Sequence, residues 1–120
     1  MTRLTPLLVL LLALAIPAAA LAARQPTNAE RAAITKVMGV KGVPRSCFPL
    51  TIAVSTRNSR FAVATYRGVK ACGIVVGNGQ SIVKRVAYKK WRIVETGSSL
   101  DCKGDVRVPP AVLQDLLSYC

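Results

Sequence analysis

Five cations fall within nine residues, at Lys84, Arg85, Lys89, Lys90 and Arg92, with Tyr88 and Trp91 set among them. Cations neutralise phosphate or sulfate, and an aromatic face stacks on a base or a sugar. The chemistry this segment offers is therefore binding, not bond-making. Strand alternation puts Lys84 with Val86 and Tyr88, and Arg85 with Ala87. The cations are then divided between two faces or gathered at a turn. The plainer reading is a solvated hairpin whose charges guard a sheet edge. Trp91, the chain's single Trp, then belongs to the core beside Ile93.

Catalysis lacks parts. There is no His, and His is the commonest general base. The carboxylates are Glu30, Glu95, Asp101, Asp105 and Asp115. Glu30 has a structural use, and Asp115 is expected on the outer side of the last helix. Glu95, Asp101 and Asp105 leave a weak hydrolase reading that no motif supports. No Ser stands in a nucleophile elbow. Gly77-Asn78-Gly79 lacks the Lys and the following helix of a phosphate loop and reads as a turn. The chain is read as a non-enzyme without a cofactor.

The four cysteines are Cys47, Cys72, Cys102 and Cys120. None are close together and no His accompanies them, which argues against zinc. An even number in a small exported chain reads as two disulfides. Three pairings exist, and spacing does not choose among them. The expected pairing is Cys47–Cys72 with Cys102–Cys120, joining neighbours in sequence order. Each closes a loop worth about 3 kcal/mol in the chain-entropy model.

The elements that must position these groups follow from pattern. Thr27-Asn28-Ala29-Glu30 is a capping box. It predicts a helix from about Asn28 to Met38, with Ala33, Ile34, Val37 and Met38 as its apolar stripe and Gly39 as its stop. Val40 to Pro49 is a loop. Thr51–Thr56 and Phe61–Arg67 read as a hairpin around Asn58-Ser59. Ile74–Val76 is a short strand. Ser81–Tyr88 and Trp91–Thr96 form a second hairpin, rich in β-branched and aromatic residues. Gly97 to Gly104 is a loop, and Pro110 opens a final helix with Val112, Leu113, Leu116 and Leu117 on one side. The expected fold is α+β: an N-terminal helix, an antiparallel sheet of four or five strands and a short C-terminal helix. Both helices are expected on one face, as a two-layer sandwich.

The beginning of the chain supplies the setting. Arg3 precedes an unbroken apolar run, Leu7 to Ile16, which Pro17 ends. Ala20-Leu21-Ala22 fits the small-x-small pattern of signal peptidase. Residues 1–23 are read as a signal peptide and 24–120 as one small domain, secreted or periplasmic. The alternative is an uncleaved anchor over Leu4 to Ala23. Without Arg3, sixteen Lys and Arg stand against five Asp and Glu, so the mature net charge is +11. Such a body attracts anionic material, although charge also keeps a secreted monomer soluble.

Trp91-Arg92-Ile93-Val94, then Gly97-Ser98-Ser99 and a later Cys, resembles the last strand of small secreted bacterial proteins of uncharacterised function. They combine a signal peptide with a capped helix, a Cys-bracketed β-meander and a Val-Pro-hydrophobic segment ending on Cys, here Val108-Pro109-Pro110 through Cys120. The resemblance implies export, α+β architecture and the Cys102–Cys120 bridge, and it implies no activity. A Trp-Arg strand in a curved helix-plus-sheet domain also resembles cystatin-like and NTF2-like folds, at the level of fold alone.

Two functions fit these observations. The first is a basic, non-enzymatic binding module for anionic polymer or cell-envelope material, nucleic acid included. The second is a secreted inhibitor or effector that docks one protein partner through Val40–Ser46 and Gly97–Gly104, where stapling preorganises the loops.

Overall fold

The computed structural model describes residues 23–40, 42–69, 72–73, 79–105 and 107–120. The expected signal peptide, except Ala23, lies outside the described residues, as do the short strand at Ile74–Val76 and the turn residues Gly77 and Asn78. The elements run α1 (Asn28–Met38), a 3₁₀ turn (Arg45–Cys47), β1 (Leu50–Val54), β2 (Phe61–Tyr66), β3 (Gly79–Ala87), β4 (Lys90–Gly97) and α2 (Pro110–Leu116).

The start of α1 is fixed by its capping box. Glu30 donates its backbone N–H to the Thr27 hydroxyl at 3.1 Å, and the Glu30 carboxylate accepts from the Thr27 N–H at 2.9 Å. These bonds satisfy two of the donors that a helix start otherwise leaves open. Arg24 clamps the same carboxylate with both guanidinium nitrogens, at 2.7 and 2.9 Å. Its backbone also pairs in both directions with Val54, at 2.8 Å each way. One residue thus ties the start of α1 to the edge of β1.

The four strands form an antiparallel meander in the order β1-β2-β3-β4. The helices do not share a face, which corrects the two-layer expectation. Ile34 and Met38 of α1 pack with Ile52, Val54, Ala62, Ala64, Val83 and Trp91. Val112, Leu113 and Leu116 of α2 pack with Phe61, Val63 and Ile82. Adjacent residues of β2 therefore point into different cores, and the sheet lies between the helices. The reason is written in β2 itself. Phe61-Ala62-Val63-Ala64 is apolar at every position and buried at every position. A strand with one wet face alternates, whereas this one needs cover on both sides.

Two irregularities shape the second hairpin. Ile82 faces Glu95 while Val83 faces Ile93, which leaves Val94 as an extra residue on β4. Val94 packs against the core beneath α2. Arg85 faces Trp91 while Ala87 faces Lys90, so Val86 is extra on β3. Such bulges bend and twist a strand locally.

Both expected disulfides are present, Cys47–Cys72 and Cys102–Cys120, with Cα atoms 5.8 and 5.5 Å apart. They fit an oxidising compartment. Among the described residues, no helix is long and apolar enough to cross a membrane. The second bridge closes a segment that is also held by Tyr119, whose hydroxyl accepts from the Leu100 N–H at 2.9 Å and donates to the Leu100 carbonyl at 3.0 Å.

Asp115 is not on the outer side of α2. One of its oxygens accepts from the Ser55 hydroxyl at 2.8 Å, the Thr56 N–H at 2.6 Å, the Thr56 hydroxyl at 3.1 Å and the Arg57 N–H at 3.3 Å. It docks α2 onto the turn between β1 and β2. Burial pushes its carboxyl pKa up, and these donors outweigh it, so the group is held below its ordinary value.

Candidate functional site

The β3–β4 hairpin carries all five cations singled out in the sequence, and it divides them. Lys84 and Arg92 face each other across the strands and lie on the α2 side, where the Lys84 ammonium stands 5.5 Å from the centroid of Phe61. Arg85 faces Trp91 on the α1 side. Lys89 and Lys90 are at the tip. The five do not form one patch.

The tip itself has an unusual build. Tyr88 is 84% exposed, the most open of the large hydrophobic side chains among the described residues. Lys89 adopts a left-handed backbone, φ 54°, a conformation ordinarily left to Gly or Asn in a hairpin. Its ammonium stands 5.3 Å from the Tyr88 ring centroid, within reach of a cation–π contact. Trp91, by contrast, is 7% exposed and packs under α1. Tyr88 is the openly exposed aromatic ring of the tip, while Trp91 reaches only the lining of two of its clefts.

Three clefts surround this tip. One of about 270 Å³ is lined by Arg60, Arg85, Val86, Ala87 and Tyr88. A second, of about 280 Å³, runs from Arg85, Tyr88 and Lys89 to Arg24 and Glu30 at the start of α1. A third, of about 340 Å³, lies between Lys36 and Val37 of α1 and Val86, Lys89 and Lys90 of the hairpin. Lys84 and Arg92 line none of the three. The structure thus brings Arg85, Lys89 and Lys90 together around Tyr88 and leaves Lys84 and Arg92 on the other face.

It also adds Arg60, which the sequence reading passed over. Arg60 closes the turn before β2, and its carbonyl accepts the Arg85 N–H at 2.7 Å. Strand register sets this meeting, because Phe61 faces Lys84. The available signal was the expected first hairpin, whose turn ends on Arg60.

Charge around the tip is largely uncompensated. Among the described residues, only Arg24 and Arg107 form ion pairs, with Glu30 at 2.7 Å and Asp105 at 3.0 Å. The carboxylates are spent elsewhere. Glu30 serves Arg24 and the α1 cap, and its hydrogen bond from Arg24 is the main cause that holds its pKa at about 2. Asp105 is held below its ordinary value chiefly by the Arg107 side chain. Asp101 accepts from the Lys103 N–H at 2.8 Å, and Asp115 docks α2. Among the described residues, Arg60, Arg85, Lys89 and Lys90 have no carboxylate within ion-pair distance.

Of the three acids in the hydrolase reading, Asp101 and Asp105 brace turns in their own loop. Glu95 faces Ile82 across the sheet and lies close enough to act on the charge of Arg107, the ion-pair partner of Asp105. No protein-family model matches this chain, and neither a curated protein nor a solved structure matches it.

Proposed function

We propose that this protein is an exported, non-enzymatic binding module for anionic polymer or cell-envelope material, acting as a monomer outside the cytoplasm of a bacterium. The observation that carries the reading is the hairpin tip. Among the described residues, Arg60, Arg85, Lys89 and Lys90 stand without carboxylate partners around the most exposed aromatic ring. A cation left unpaired near other cations costs repulsion, which an anionic ligand relieves. An open ring beside it adds stacking surface for a sugar or a base. The mature charge of +11 supplies long-range attraction, and the disulfides suit an oxidising site of action.

The test compares salt elution from heparin with elution from a plain cation exchanger of matched capacity. Much later elution from heparin is the expected result, because an organised site gains more than net charge alone. Equal elution overturns the reading. The charge is then diffuse and solubilising, and the search moves to a protein partner for the loops at Val40–Ser46 and Gly97–Gly104.

A further inference from the structure

A second site lies between the later turns of α1 and the loop that Cys47 pins. A groove of about 280 Å³ is walled by Met38, Val40, Val43, Phe48 and Leu50, with Lys36 and Arg45 also in its lining, and its surface is mainly apolar. Phe48 stacks on Tyr66 with ring centroids 5.1 Å apart, which fixes one wall. Val40 is 52% exposed beside it. Apolar surface left open in this way attracts an apolar ligand group.

A smaller cavity of about 110 Å³ shares Thr35, Arg45, Phe48 and Leu50 with the groove and adds Arg31. Arg31 and Thr35 are one turn apart on α1 and so lie on one side of it. Neither Arg31 nor Arg45 has a carboxylate partner among the described residues. An apolar compartment therefore runs into a polar one that presents two guanidinium groups. Guanidinium forks match a carboxylate in shape and charge.

We propose that this composite site binds a free single-chain anionic amphiphile. The carboxylate head lies between Arg31 and Arg45, and the alkyl chain lies along Met38, Val43 and Phe48. The two guanidinium groups set the direction, because Arg31 and Arg45 both line the smaller cavity and the apolar side chains Met38, Val40 and Val43 line the groove alone. Size limits the ligand. The groove is near the lower end of small-molecule pockets, which begin at about 300 Å³, and takes one medium-length chain in preference to a two-chain lipid. The site shares Lys36 with the cleft between α1 and the hairpin, but its guanidinium pair is not part of the tip, and it stands or falls independently of the tip.

Met38 gives the readout, since Met1 is the only other methionine. Protein purified as the cell processes it is labelled with [¹³C-methyl]methionine, and Met38→Leu identifies the groove signal. It is titrated with decanoate below its critical micelle concentration, with decyltrimethylammonium and with anionic phospholipid vesicles. Decanoate is expected to move the Met38 signal saturably, and the cationic analogue is not. Arg31→Glu with Arg45→Glu, both at exposed positions, should weaken decanoate about tenfold or more. Val43→Trp fills the groove without changing charge and should also abolish the response. Arg60→Gln with Arg85→Gln at the hairpin should leave it intact. No saturable shift, equal shifts from both detergents, full binding by Val43→Trp, or binding to vesicles alone each overturn the proposal.

Discussion

The backbone N–H of Arg85 is bonded to the carbonyl of Arg60 at 2.7 Å, which locks two cations from different hairpins into one cleft with Tyr88. Lys84 and Arg92 face each other across β3 and β4 on the opposite side of the sheet. The two pairs allow a comparison at constant net charge. Arg60→Gln with Arg85→Gln is expected to lower the salt needed to elute from heparin well beyond Lys84→Gln with Arg92→Gln. Both double variants lose two charges, so they should shift equally on a plain cation exchanger. Equal shifts on heparin would mean that position does not matter and that the charge acts as a diffuse field.

Lys89 holds a left-handed backbone that a side chain makes costly. Glycine takes this conformation without steric penalty. Lys89→Gly is therefore expected to raise unfolding stability by about 1 kcal/mol, while eluting earlier from heparin. Lys89→Ala removes the same charge and keeps the strain. Thermal unfolding of the two variants checks the point, and identical midpoints would mean that the tip stores no strain.

Glu30 links the α1 cap to Arg24, and its folded pKa is lowered from 4.5 to about 2. A depressed carboxylate pKa gives stability that is fully present above the unfolded value and is lost as pH falls through the folded one. Glu30→Gln should cost about 1 kcal/mol near neutral pH, the usual worth of such a cap. The gap from the parent should narrow below pH 4.5 and largely close by about pH 2. Urea unfolding at a series of pH values measures it, and a gap that stays constant with pH would assign the effect to packing instead of charge.

The same residues show how far the sequence could be read. The α1 boundaries followed from local chemistry, because Thr27 and Glu30 act within one turn and Gly39 follows the last apolar residue. The second hairpin was legible from its β-branched and aromatic residues, although Tyr88-Lys89 contains none of the usual turn formers. The placement of the helices was missed because it depends on which face of the sheet each segment reaches. The all-apolar run Phe61-Ala62-Val63-Ala64 carried that information. Arg60 and Asp115 were missed for a related reason. Their partners, Arg85 and Ser55, are remote in sequence and meet only once strand register and helix docking are set.

Gly79 faces Tyr66 across β2 and β3, and a Cβ built at Gly79 would collide with the hydroxyl end of the Tyr66 ring. The ring is also held by Phe48 on another side, so it has little room to withdraw. Gly79→Ala is expected to destabilise the protein by about 1–3 kcal/mol through overpacking. Tyr66→Leu in the same chain should recover part of the loss. A chemical-denaturation comparison of the single and double variants tests the contact, and an unchanged midpoint for Gly79→Ala would refute it.

Asp115 connects α2 to the turn that leads to Arg60, and this ties stability to the binding face. Ser55 is fully buried. It donates to Asp115 and accepts the N–H groups of Arg57 and Asn58, both at 3.1 Å. Removing the carboxylate leaves the Ser55 hydroxyl and the Thr56 and Arg57 N–H groups without their shared acceptor. Hydrogen bonds to a charged group are worth about 1.5–3 kcal/mol, so Asp115→Ala should destabilise by about that amount. Ser55→Ala loses an overlapping set of bonds, and the double variant should cost less than the two singles together. A looser turn also carries Arg60 out of register with Arg85. Asp115→Ala should then elute earlier from heparin under conditions where it remains folded, despite a net charge one unit more positive. Later elution, as charge alone predicts, would separate the turn from the binding face.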